Sequence, residues 1–353
     1  MKLLTLREAV KQSDNASGSS GTRPMRRYIL HLLRHHSIRP ADSPGHSRPR
    51  EASLAFFTII LPIFAVFGLG YLLGRLRGAD SRTLVGMAIY LFVPALVFTK
   101  TAEKSFSLYE AGGILLFSFA STALVYLITA LAARIMRVDR VQRYALLLGT
   151  VSMNGVNFGL PVVQFAVGDD ALPYAAIFIT GASLIQATVL VYLAAAGRHS
   201  VRQSLASIFR IPIVYAFIAG MAISIGGFHD AIPGPVMMPF RVLADAAVPV
   251  GMVILGMQLT RVRLDGEWRS MGTIALIRLV ISPLIGIGLA ALLGFEGKLR
   301  SAVILETAMP TAVNAALLAA EFDTKPSFVA GTVLVTTLLS ALTLTVLIPL
   351  LVG

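Results

Sequence analysis

From residue 55 onward the chain alternates long apolar runs with short polar links. Ten runs can be drawn, at 55–74, 83–99, 109–132, 144–167, 171–196, 208–227, 240–260, 271–293, 299–320 and 327–351. Each holds 17 to 26 residues, enough to cross a hydrocarbon core of about 30 Å as a helix rising 1.5 Å per residue. A segment inside lipid must satisfy its own backbone groups, so spans of this length are expected to be helices. A transmembrane barrel would show alternating strands of about ten residues, and none is visible. The expected architecture is an all-α integral membrane protein.

Composition agrees. Apolar residues make up 56% of the chain and charged residues 14%, against about 25% charged in a soluble domain. Cysteine is absent, which excludes disulfides, thiolate metal sites and Cys nucleophiles. The net charge of +12 would suit nucleic acid, but the basic residues lie in the N-terminal tail and in short loops, where membrane proteins carry them. No nucleic-acid partner is expected. The loops after runs 1, 3, 5, 7 and 9 hold most of the loop Lys and Arg, which assigns them to the cytoplasmic face of a multi-pass protein of the plasma (inner) membrane.

Residues 1–52 differ from the rest. They hold ten of the 30 Lys and Arg, with "SDNASGSSG" and "RPADSPGHSRPR" and no run long enough to span. The opening "LLTL" is too short for the apolar core of a signal peptide. This segment is expected to be a disordered basic tail, or to be missing from the mature protein, since the loop charges would otherwise require its translocation. The core then divides into 53–200 and 201–353, five runs each. An odd number per half inverts the second half relative to the first, the arrangement of many secondary carriers.

Two pairs of runs carry matching irregularities. Pro94 in "IYLFVPALVF" stands 155 positions before Pro249 in "AAVPVGMVIL". Pro161 in "NGVNFGLPVV" stands 149 positions before Pro310 in "ETAMPTAVNAAL". Proline removes a backbone donor and displaces the carbonyl four residues earlier. Runs 4 and 9 are therefore expected to break, leaving half-helix ends near the midplane. Half-helix N-termini present bare N–H groups and partial positive charge, which suit an anion. The candidate site comprises Asn154, Asn157, Gly159 and Pro161 from one run and Pro310, Thr311 and Asn314 from the other. The lone amides Gln186 and Gln258 read as packing hydrogen bonds.

Several of these motifs resemble the auxin efflux carrier family of membrane transporters. They are "LAFFTIILPIFAVFGLGYLLGR", "IYLFVPALVF", "NGVNFGLPVVQFAVGDDALPYAAIF", "VPVGMVILGMQL" and "AMPTAVNAALLAAEFD", in family order, and the likeness runs from about Leu54 to Gly353. The resemblance implies two inverted five-helix repeats, a fold akin to sodium/proton antiporters and bile acid carriers. Runs 1, 2, 6 and 7 would form a scaffold, and 3–5 and 8–10 a moving transport unit. Runs 4 and 9 would cross at Pro161 and Pro310, with Asn154 and Asn314 as the crossover asparagines. The implied substrate is a small organic anion: auxin in plants, mono- or dicarboxylates in bacteria. The loop after run 5, "GRHSVRQSLAS", is too short for the plant long-loop type. A homodimer is what the resemblance implies, while the sequence itself leaves the oligomeric state open. Coupling to H⁺ or Na⁺ stays open, and no cofactor is implied.

Two charges fall within runs. Arg278 lies in "IALIRLVISP" and Glu306 in "VILETAMP". A charge at this depth costs at least about 2.5–3.5 kcal/mol unless paired or hydrated. The two could form an ion pair, or Glu306 could carry a coupling proton while Arg278 attracts an anion. Enzymatic readings fail on residue types. The six His are 31, 35, 36, 46, 199 and 229, all in the tail or loops, and there is neither an H-E-x-x-H motif nor a phosphate-binding loop. A transporter fold serving as a sensor without net transport remains the alternative.

Overall fold

The computed structural model describes residues 54, 56–190, 211–228, 231–260 and 267–352. The expected basic tail and the link after run 5 lie outside them. The described residues are helical, with no strand beyond one isolated bridge.

Among the described residues, twelve helices trace the path. They are α1 (Phe56–Arg77), α2 (Arg82–Ala102), α3 (Leu108–Ile135), α4 (Arg140–Val151), α5 (Gly155–Val167), α6 (Leu172–Ile185), α7 (Pro212–Gly226), α8 (Gly234–Leu259), α9 (Trp268–Leu292), α10 (Gly297–Thr307), α11 (Val313–Glu321) and α12 (Pro326–Val352). A single π-helical turn, Gln186–Leu190, continues α6. Six of these helices, α1, α2, α3, α8, α9 and α12, are long and apolar enough to cross a membrane. Their outward faces carry large exposed apolar side chains, among them Leu69, Leu76, Leu127, Leu131, Leu342 and Val346. Apolar surface on this scale belongs against lipid.

The ends follow local rules. Ser107 caps α3 by accepting from the Glu110 N–H, and Asp139 caps α4 by accepting from the Gln142 N–H. Gly78 and Gly227 terminate α1 and α7 in the left-handed conformation that glycine adopts without strain.

The helices sort into two bundles. One contains α1, α2, α7 and α8, with α1 against α8 and α7 against α2 as its main seams. The α1–α8 seam is close enough to require glycine. A Cβ on Gly70 would collide with the Val253 carbonyl, and one on Gly256 with the Phe67 carbonyl. The second bundle joins α3 to α4 and α6, α9 to α10, and α11 to α12. Phe158 of α5 is fully buried and packs its ring 5.2 Å from Phe67 and 6.0 Å from Phe64 of α1.

Runs 4 and 9 are each interrupted, α4 from α5 by Ser152–Asn154 and α10 from α11 by Ala308–Ala312. The first interruption corrects an expectation: Pro161 does not make it. It stands within α5, two residues after the π-helical turn Gly155–Gly159. The same spacing recurs at Pro62, Pro94 and Pro283, each two residues after a π-helical turn. The wider turn re-routes donors past the carbonyl that a proline ring would displace, as where the Gly159 N–H donates to the Asn154 carbonyl five residues back. Pro94 and Pro283 are thus absorbed by a bulge inside a continuous helix, and Pro62 and Pro161 by the bulges that open α1 and α5.

Candidate functional site

The two interruptions meet. Met153 and Thr311 form an antiparallel bridge. The Asn154 N–H donates to the Pro310 carbonyl at 2.9 Å, and the Ala312 N–H donates to the Ser152 carbonyl at 3.0 Å. Two stretches of unwound backbone therefore satisfy each other in an apolar interior, where unpaired groups would be costly. The sequence provides for the first break locally. Asn154 caps α5 by accepting the Asn157 N–H on Oδ1 at 3.3 Å, so the chain restarts a helix rather than continuing one. In the second, Thr311 donates its hydroxyl to the Gly149 carbonyl at 2.7 Å, relieving the C-terminal end of α4, and its N–H donates to the Thr336 hydroxyl.

The crossing separates the helix ends by polarity. The N-terminal ends of α5 and α11 face a cavity of about 460 Å³, lined by Asn154, Gly155, Val156 and Asn157 on one side and Ala312, Val313 and Asn314 on the other. No side chain caps α11. The remaining walls come from α2, α6 and the Ile211–Ile213 entry to α7, with Ile254 and Gln258 of α8. Its polar side chains are all uncharged: Asn154, Asn157, Ser183, Gln186, Gln258 and Asn314. Asn154 Nδ2 and Gln258 Oε1 are buried without a hydrogen-bond partner. Asn314 is exposed to the cavity.

The C-terminal ends of α4 and α10 lie on the opposite side and converge on Arg278. Its Nη2 donates to the Met309 carbonyl at 2.7 Å and to Thr307 at 3.3 Å, its Nε to Met309 at 3.2 Å, and its Nη1 to the Thr150 carbonyl at 3.3 Å. Glu306 is fully buried, and neither carboxyl oxygen has a hydrogen-bond partner. It packs against the α-carbons of Gly155 and Gly159, where a Cβ would come within 2.7 Å of its oxygens. The two charges do not form an ion pair, because Arg278 spends its donors on main-chain carbonyls.

Of the residues singled out from sequence, Asn154, Asn157 and Asn314 line the cavity. Gly159, Pro161, Pro310 and Thr311 do not. Gln258 and Gln186, which sequence alone presents as packing amides, face the cavity, with Gln186 Nε2 donating to the Met153 carbonyl at 3.3 Å. Nothing in their spacing distinguishes them from a packing amide, since only the crossing decides which face of α6 and α8 borders open space.

The model of the membrane transport protein family matches residues 55–204 and 196–348. The chain belongs to that family. This is the auxin efflux carrier-like family whose motifs the chain resembles, so the molecule is a multi-pass membrane transporter and not an enzyme. It is similar to an uncharacterized transporter of Methanothermobacter thermautotrophicus, 29% identical over 290 residues, covering 81% of this chain and 95% of the relative. A Rhizobium meliloti protein provisionally named a malonate transporter is 26% identical over 304 residues, covering 81% and 93%. An uncharacterized transporter of Methanocaldococcus jannaschii is 22% identical over 297 residues. As a membrane transporter, the chain works in a lipid bilayer and moves a small-molecule substrate.

Proposed function

We propose that this transporter is a secondary carrier of a small organic anion, a carboxylate, working by alternating access in the plasma membrane. The observation that supports this best is the pair of half-helix N-termini facing one cavity, bordered by neutral amides. Bare N–H groups and the positive ends of two helix dipoles attract a carboxylate without a fixed counter-charge that would hold it too tightly to release. The name of the Rhizobium meliloti relative points to the same substrate class. In this reading Asn154, Asn157 and Asn314 contact the substrate, with Gln258 reaching it from the opposite bundle. Gly159, Pro161, Pro310 and Thr311 shape the crossing.

With α4 and α5 taken as one span, and α10 and α11 as another, the carrier has ten crossings in two inverted halves, 53–200 and 201–353. The bundle α1, α2, α7 and α8 is the scaffold, and the second bundle carries the site past it. The bridged residues Met153 and Thr311 are 158 positions apart, close to the 155 between Pro94 and Pro249, as repeated halves require. The cavity borders those helix halves that lead to the loops after runs 1, 5, 7 and 9. By the distribution of Lys and Arg these loops are cytoplasmic, so this conformation is inward-facing. Glu306, buried at the crossing with no donor on either oxygen, is the group that a coupling proton would ride on.

The decisive experiment uses purified protein. A panel of mono- and dicarboxylates is screened by thermal shift, and the best stabiliser is tested for uptake into proteoliposomes. Uptake that saturates and is lost in Asn314→Ala supports the carrier. Binding without uptake favours a sensor.

A further inference from the structure

In carriers with broken helices, unwound carbonyls and half-helix C-termini are the groups that coordinate a coupling metal cation. This chain builds such a set. The carbonyls of Thr150, Thr307 and Met309 converge from the ends of α4 and α10, joined by the Ser282 hydroxyl, itself donating to Thr307 at 2.7 Å. Each helix C-terminus carries about half a negative charge, so two amount to about one. The Arg278 guanidinium sits among these oxygens, 3% exposed, and bonds to all three carbonyls. No carboxylate forms an ion pair with it among the described residues. Beside it lies a void of only about 10 Å³, room for one water molecule at most.

We infer that Arg278 is a resident cation: its guanidinium fills the seat that the two C-terminal half-helix ends build for a coupling metal ion, so sodium does not bind at the crossing. Arginine suits this place because its planar donors reach several carbonyls at once and its charge is permanent. A lysine could match the charge but not the number of contacts. The carrier is thereby left with a fixed positive charge where a sodium-coupled relative would bind and release one. The consequence for coupling rests on the carrier reading above; the occupancy of the seat does not.

The test therefore needs no transport substrate. Wild type, Arg278→Ala and Arg278→Lys are purified, and their unfolding temperatures are measured in millimolar choline, sodium or guanidinium chloride at equal ionic strength. The wild type is expected to unfold at the same temperature in all three. The alanine variant is expected to unfold several degrees lower in choline and to recover by at least about 3 °C in guanidinium, because a ligand that binds only the folded state raises its stability. The lysine variant should fall between the two. An alanine variant that responds to guanidinium no more than the wild type overturns the inference. So does a wild type stabilised by sodium over choline. If the alanine variant yields no folded protein in any of the three salts, the lysine variant decides: failure to fold there too overturns the inference, and an intermediate unfolding temperature supports it.

Discussion

The carboxyl group of Glu306 lies against the α-carbon of Gly159, so closely that a single added methyl group would stand 2.7 Å from Oε1. The two residues come from different broken spans, and Glu306 is fully buried. Glycine at this position is therefore a requirement of packing across the crossing. Gly159→Ala is expected to destabilise the protein by about 1–3 kcal/mol through overpacking, seen as a lower unfolding temperature in detergent. Gly112 in α3 provides the control. A Cβ there meets nothing, so Gly112→Ala should leave stability unchanged or raise it slightly.

Glu306→Gln keeps the shape of the side chain and removes its titration. The variant is expected to fold with a wild-type unfolding temperature, since neither oxygen of Glu306 has a partner to lose. If Glu306 carries the coupling proton, substrate accumulation driven by a pH gradient should vanish in the variant while exchange of internal for external substrate persists. Gradient-driven accumulation equal to wild type would remove Glu306 from coupling.

Asn314 gives a cleaner test of the substrate site than Asn154. Asn154 also caps α5 and bonds across the crossing, so its removal costs about 1 kcal/mol of cap alone. Asn314 is exposed to the cavity and takes no part in the bridge. Asn314→Ala is expected to weaken substrate binding about 10- to 100-fold, the worth of a hydrogen bond to a charged group, at unchanged stability. Gln258→Ala should weaken binding in the same direction from the opposite wall. Titration of the stabilising carboxylate against each variant reads both.

Access to the cavity can be read chemically because the chain has no cysteine. Leu317 lines the cavity and is 55% exposed. Leu317→Cys should react with a membrane-impermeant maleimide from the side of the basic loops and not from the other. A contact between the bundles on the far side bears on the same equilibrium. Lys104 Nζ stands 3.8 Å from the ring centre of Tyr174 in α6, and the Ser224 hydroxyl of α7 holds the Lys104–Phe106 segment by accepting from the Phe106 N–H and donating to the Lys104 carbonyl. Tyr174→Ala should lower the labelling rate at Leu317→Cys as outward-facing molecules gain population. An unchanged rate would show that this contact does not hold the far side closed.

Much of this was legible along the chain, and what was not has a common cause. The ends of the apolar runs fall within six residues of the helix ends wherever the structure describes both, with runs 4 and 9 each split into two helices, because hydrophobic length is a local property. The break in run 9 falls at Pro310, as its proline implied. The break in run 4 falls eight residues before Pro161, at Met153. Its signal was present in the Asn154–Gly155 pair, a helix-capping asparagine before glycine, but the proline was the louder mark. A π-helical turn then absorbed that proline, and whether a bulge can form depends on neighbours that no local pattern encodes.

The amino-acid sequence by itself determined that this protein is a polytopic helical membrane protein, which runs are interrupted, and that asparagines border the interruptions. Tertiary structure alone decided that the two interruptions pair through their backbones, that Gln258 faces the cavity while Thr311 does not, and that Arg278 answers carbonyls rather than Glu306. The division has one reason. Burying a run in lipid depends on its own composition, whereas the partner of an unsatisfied donor or charge depends on which distant segment the fold brings within hydrogen-bonding distance.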